Sequence, residues 1–149
     1  MRTRRLAAAG ALAVVLAACT ALPSGQEPEE RRVGIIRLYQ TDPPGVLVVP
    51  DTVRAGVDFQ VAATTLGGGC ERAGETEVAV SGGLATLTPY DYTRRAEACA
   101  DILRHLPHTA TLRFASPGQA VVLLQGRRVG ADTPQGGVSV TIEKRVVVR

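Results

Sequence analysis

Apolar and polar residues trade places at every second position through much of this chain, and that alternation constrains the fold more than any other feature. Over residues 57–64, Val57, Phe59, Val61 and Ala63 fall on one side, and Asp58, Gln60, Ala62 and Thr64 on the other. A period of two belongs to a half-buried β-strand, whose successive side chains leave opposite faces of a sheet. Thr76, Val78 and Val80 repeat the pattern, with Glu75, Glu77 and Ala79 facing outward. Ser81-Gly82-Gly83 then supplies hairpin chemistry before residues 84–88. His108, Ala110, Leu112 and Phe114 share a further face. Residues 120–124 are continuously apolar, as in a strand central to a sheet. Residues 138–148 make a long last strand whose pattern slips at Glu143-Lys144-Arg145, which suggests a bulge.

The shorter segments fit the same scheme. Residues 33–39 form a first β-like run, and residues 46–49 a second, flanked by Pro43-Pro44-Gly45 and Pro50-Asp51. Proline cannot donate to a ladder, so the second run reads as an edge strand. Gly67-Gly68-Gly69, Ser116-Pro117-Gly118 and residues 130–137 read as turns or loops. One segment departs from the period of two. Ala96, Cys99, Ala100, Leu103 and Leu106 recur at spacings of three and four, which predicts a helix over residues 93–106, stopped by Pro107.

About eight short strands with turn signals every 8–12 residues predict a mainly β chain folded as a sandwich. Aromatic content is 3% with no tryptophan, so Val, Leu, Ile and Ala must supply the core. Residues 53–59, Val53-Arg54-Ala55-Gly56-Val57-Asp58-Phe59, read as a turn into a strand, and Pro117-Gly118-Gln119-Ala120-Val121-Val122 as the start of a late central strand. On these stretches residues 33–149 resemble the bacterial immunoglobulin-like domains of surface and periplasmic proteins. The resemblance implies an antiparallel immunoglobulin-like β-sandwich of about eight strands, here with one short helix. It departs from antibody-type domains, which have a core Trp and a different cysteine spacing. Such a fold carries no function with it.

The N-terminal region sets the address. Arg2, Arg4 and Arg5 precede an apolar run over residues 6–18, too short to cross a bilayer of roughly 30 Å as a helix. The run ends in Leu16-Ala17-Ala18-Cys19, which resembles the lipobox of bacterial lipoproteins. The resemblance implies that residues 1–18 are a signal peptide and that Cys19 becomes a diacylglyceryl-modified first residue, often acylated further, for example with palmitate. Membrane anchoring, to the cell membrane or the outer membrane, would follow from two or more acyl chains. An ordinary secretory signal cut near Ala18 and an uncut membrane anchor are the alternatives. Thr20, rather than Asp, follows Cys19, which by analogy with diderm sorting favours the outer membrane. Residues 19–32 carry prolines and charge and read as a flexible tether.

Charge and cysteine usage follow from that processing. Of 17 Lys and Arg, three lie in the leader, and all 14 Asp and Glu lie after it, so the processed chain is close to neutral. Its basic residues form no stripe, and nucleic acid is not an expected partner. With Cys19 lipidated, Cys70 and Cys99 remain, and export favours a disulfide between them. They form no C-x-x-C pair, so a thioredoxin-like role is not expected.

Little points to catalysis. His105-Leu106-Pro107-His108 is the one histidine pair, and Asp101 with Glu97 stands one and two helical turns before His105. Asp101, His105 and His108 suggest a Zn or Cu site. Against it, Pro107 interrupts the spacing and no third ligand is fixed, so His105 is expected to sit at a helix C-terminus and no metal is assigned. No G-x-S-x-G or phosphate-loop motif occurs. Tyr90-Asp91-Tyr92 reads as a turn with partly buried tyrosines, or as a loop that stacks on a sugar or peptide. The expectation is a non-catalytic protein without cofactor, anchored to a membrane through Cys19, whose domain binds a protein, glycan or envelope component. The rivals are a metal-binding protein or enzyme using His105 and His108, and a structural accessory subunit of an envelope complex.

Overall fold

The computed structural model describes residues 28–38, 45–96 and 98–149. The leader, Cys19 and the Leu16–Cys19 stretch lie outside them. Nine strands account for most of the described chain: β1 (Glu29–Val33), β2 (Leu47–Val48), β3 (Thr52–Val53), β4 (Phe59–Gly67), β5 (Glu71–Ser81), β6 (Leu84–Arg94), β7 (Arg104–Leu112), β8 (Gly118–Arg128) and β9 (Val138–Val148). They form a six-stranded and a three-stranded sheet. The smaller runs β2-β4-β7, all antiparallel, with β2 short and at the edge as its flanking prolines require.

In the larger sheet β6 is shared. One of its edges pairs with β5 through a hairpin turned at Gly82, whose φ of 58° suits the glycine-first turn that matches strand twist. The other edge pairs with β8 along residues 84–87 and with β1 along residues 90–94. β9 lies antiparallel to β8 over the whole length of both, and β3 runs beside the end of β9. The β6–β8 and β3–β9 pairs are parallel. The expectation of an all-antiparallel arrangement is therefore corrected, and the strands number nine among the described residues. A parallel pair needs a long crossover, and here residues 88–117, which include β7 of the other sheet, supply it.

The segment just after β1 joins the sheets. Ile35 O accepts from Leu66 N of β4, while Gly34 O accepts from Arg127 N of β8 and Ile36 N donates to Arg127 O. Gly34 permits this crossing, because a Cβ there would stand 2.3 Å from Cγ2 of Thr65. Ile36, Leu47, Val61, Ala63 and Leu112 meet Ala85, Leu87, Val122, Leu124 and Val146 in one core between the sheets. The two phenylalanines, Phe59 and Phe114, close one end with ring centroids 5.7 Å apart. Each such buried side chain contributes about 1.5–3 kcal/mol, so aliphatic residues carry a core short of aromatics.

Other expectations are corrected. No residue among those described is helical. β6 continues to Arg94, residues 95–103 are irregular where described, and β7 begins at Arg104. Pairing with β4 takes Leu106 and His108 into the core as alternate residues of a strand, which outweighs the helical spacing. β9 has no bulge at residues 143–145; its ladder with β8 is unbroken, and the irregularity lies in β5 between Ala73 and Thr76. Lys144 sits on the core-facing side opposite Val122, yet stays exposed at the strand's open edge. Val78 and Val80 also have core-facing register, opposite Leu87 and Ala85, but remain 41% and 44% exposed on β5, which pairs only with β6. The expected tether does not extend over Glu29–Arg32, which are strand residues paired with β6.

Candidate functional site

One end of the larger sheet gathers most of the chemistry. Cys70 follows the glycine-rich β4–β5 turn and Cys99 lies in the irregular β6–β7 segment; they form a disulfide with Cα atoms 5.3 Å apart. The bridge expected between them is thus present, and its second half sits in a loop rather than in the expected helix. Arg94 N donates to Cys70 O, and Gly69 N to Ala100 O, so main-chain bonds seat the loop on the turn. Ile102 and Leu103 project from it, 53% and 66% exposed. A small hollow of about 190 Å³ beside the bridge is lined by Glu29, Glu71, Arg72, Arg94 and Arg104 with Cys70.

The outward face of β1, β5 and β6 adjoins this hollow. Alternation along β6 places Tyr90 and Tyr92 outward and Asp91 inward. Arg31 stacks 3.3 Å over the Tyr90 ring and binds Glu75 and Glu77, the latter at 2.6 Å. Arg72 lies 4.4 Å over Tyr92 and binds Glu29 through both Nε and Nη2. The tyrosine hydroxyls donate to Glu77 and Glu75. A guanidinium over a ring is held by the ring's negative face. The hydrogen bond from Arg72 holds the Glu29 carboxyl below its ordinary range. A main-chain hydrogen bond and then Arg31 do the same for Glu75, while Glu77 and Glu75 raise Arg31. Tyr90-Asp91-Tyr92 is therefore a strand segment, not a turn or loop, and arginines occupy the ring faces that a sugar would need.

Inward from these tyrosines, Asp91, Thr65 and His108 form a buried polar triad between the sheets. Asp91 Oδ1 accepts from Thr65 Oγ1 at 3.0 Å and lies 3.0 Å from His108 Nε2, which is also 3.0 Å from Thr65 Oγ1. His108 Nδ1 has no partner. The residue types are those of a nucleophile, base and orienting acid, but the geometry differs from a relay. A relay places acid and nucleophile on opposite ring nitrogens, and here both share Nε2. The triad is a buried polar contact between the two sheets, and the sequence hid it, because its members lie on three separate strands. The signal that was present was an acid at an inward position of β6, in step with Leu87 and Pro89.

The structure separates the other candidates. His105 is exposed and His108 buried, on opposite faces of β7, so the two histidines share no site. No described residue is helical, and His105 lies within β7 rather than at a helix end. Asp101 is exposed in the β6–β7 segment, and Glu97 lies outside the described residues. Among the described residues no group of three or more His, Cys, Asp or Glu is placed to hold a metal ion, and no helix is long and apolar enough to cross a membrane.

Comparison of the chain with models of protein families, with curated proteins and with solved structures found no match in any of the three.

Proposed function

We propose that the chain is an exported, lipid-anchored, non-catalytic envelope protein, whose immunoglobulin-like β-sandwich binds a protein, glycan or envelope component through its loops. The observation that carries the reading is the division of the three cysteines. Two are joined in a disulfide, the state favoured in an oxidising compartment. The third stands in Leu16-Ala17-Ala18-Cys19, which resembles a lipobox. Two sheets sharing one aliphatic core support the sandwich, and the exposed Ile102 and Leu103 on a disulfide-pinned loop offer a contact surface. The polar triad supports a non-catalytic reading, since its hydrogen bonds spend the histidine on positioning.

Fractionation of cells expressing wild type and Cys19→Ser tests the anchor. Wild type should partition with membranes and have an intact mass above that of residues 19–149 by its acyl groups. Cys19→Ser should become soluble or remain unprocessed. An unmodified Cys19 or Thr20 at the mature N-terminus refutes the anchor. Crosslinking in cells then identifies what the loops touch, and Leu103→Asp should weaken the capture.

A further inference from the structure

A second hollow, of about 430 Å³, opens where β1 passes β8 and the β8–β9 loop, lined by Glu30, Arg32, Val33, Arg127, Gln135 and Gly136. Its distinctive member is Arg127. Nε donates to Val33 O at 2.6 Å and Nη1 to Gly136 O at 3.2 Å, so main-chain carbonyls aim the guanidinium. Among the described residues, no carboxylate lies within the 4.0 Å of an ion pair with it. Arg32 brings a second guanidinium from β1, tied on one side to Glu30 at 2.6 Å.

We propose that this hollow binds a phosphate-type oxyanion, held between Arg127 and Arg32. A carboxylate offers two oxygens and is satisfied by one guanidinium fork, whereas a phosphate has oxygens for two forks approaching from different strands. Gln135 adds an amide on the loop side. Burial and then neighbouring Arg32 depress the Arg127 pKa, against a weaker opposing pull from Glu71, Asp91 and Glu30, and an anion entering between the two guanidinium groups would be attracted by both. Glu30 opposes binding by competing for Arg32.

The anion has two possible sources, a soluble phosphate or a phospholipid headgroup. Residues 19 and 29 can be separated by no more than about 35 Å of extended chain, so the hollow lies within reach of a membrane that holds Cys19. Only the headgroup source leans on the anchoring reading; the site itself does not.

The test uses full-length Cys19→Ser protein, so that lipidation cannot contribute, with inorganic phosphate as probe and chloride at matched ionic strength as control. Phosphate should raise the melting temperature saturably. Arg32→Gln gives up only an exposed ion pair with Glu30, so it should lower the ligand-free melting temperature little and weaken phosphate binding about tenfold, the loss of one charge-assisted contact. Glu30→Gln should tighten it. Arg127→Gln also removes the clamp on Val33 and Gly136, so Arg32 and Glu30 carry the decision. In sedimentation with phosphatidylcholine vesicles containing or lacking phosphatidylglycerol, binding that needs both phosphatidylglycerol and Arg32 identifies the headgroup. A phosphate response without vesicle binding identifies a soluble anion. No saturable phosphate effect beyond chloride, or the same effect in Arg32→Gln and Glu30→Gln as in the parent, overturns the proposal.

Discussion

Replacing Asp91 with alanine asks whether the sheets are joined by a polar contact as well as an apolar one. Asp91 Oδ1 is the common partner of Thr65 Oγ1 and His108 Nε2, both at 3.0 Å, and all three side chains are buried. Without it, the Thr65 hydroxyl keeps a long contact to Leu106 O at 3.5 Å, and His108, whose Nδ1 is already unpartnered, keeps only Thr65. Stranding a buried polar group costs roughly 1–3 kcal/mol, more when a charged partner is removed. Two lost hydrogen bonds and the space left by a carboxylate put the total near 3–4 kcal/mol. Domain stabilities are on the order of 5–15 kcal/mol, and 1 kcal/mol shifts the melting temperature of a domain this size by about 3–5 °C. A fall of about 10–20 °C is expected. Urea unfolding followed by circular dichroism measures the free energy directly, with an unchanged denaturant slope showing that the unfolded state is unaltered. Thr65→Val, which keeps the shape and removes one donor, should cost about 1 kcal/mol. A cycle pairing Asp91→Ala with His108→Phe should give a coupling above about 1 kcal/mol. A loss below about 0.5 kcal/mol for Asp91→Ala, or strict additivity in the cycle, refutes the reasoning.

The Cys70–Cys99 bridge spans a sequence separation of 29, so Cys99→Ala should cost about 3–4 kcal/mol by loop entropy and leave one titratable thiol; full retention of stability in denaturant melts would contradict that. Gly34→Ala drives a methyl group against Thr65 and should lower stability by about 1–3 kcal/mol, and an unchanged melting curve would show that the sheet crossing is not tight. Glu29, Glu30 and Glu75 have folded pKa values below 4.5, chiefly through Arg72 for Glu29, Arg32 for Glu30, and a main-chain bond with Arg31 for Glu75. Their contribution is complete above the unfolded value and is lost as pH falls through the lower folded values. Amide chemical shifts of β1 should therefore hold at neutral pH and move toward unpaired values in acid; release of β1 on going from pH 7 to about 5 would contradict the sign.

Where one face of a strand is buried, the sequence announces it. β4 was legible because Val61 and Ala63 mark a single face, whereas in β9 the exposed Lys144 on the core-facing side broke the pattern and suggested a bulge that the ladder does not have. The segment over residues 93–106 misled for a physical reason. Leu106 satisfies a spacing of three from Leu103 and a spacing of two from His108, and only the availability of β4 as a partner decides between them. Glu29–Arg32 resembled a solvated tether because four consecutive charged residues bury nothing themselves. Their partners Glu75, Glu77 and Arg72, and the Tyr90 ring, are supplied from strands more than 40 positions away. The cysteine pairing followed from counting, which needs no fold. The buried triad and the Arg127 hollow depend on which strands become neighbours, and the parallel β6–β8 pairing that builds this part of the sheet has no local signature.

The crossing at Gly34–Ile36 also sets how the domain bears load. Tension entering from the N-terminal side meets first the five β1–β6 pairs, Glu29↔Arg94 to Val33↔Tyr90. A pull along the strand axis strains those rungs in parallel, as in shear, whereas a pull across it opens them one after another, like a zipper. Beyond them the chain is riveted at Ile35 to Leu66 of one sheet and through Gly34 and Ile36 to Arg127 of the other. Tension that strips β1 is therefore divided between both sheets before it reaches the core, and the first mechanical intermediate should be a domain that has lost β1 and kept everything after Gly34.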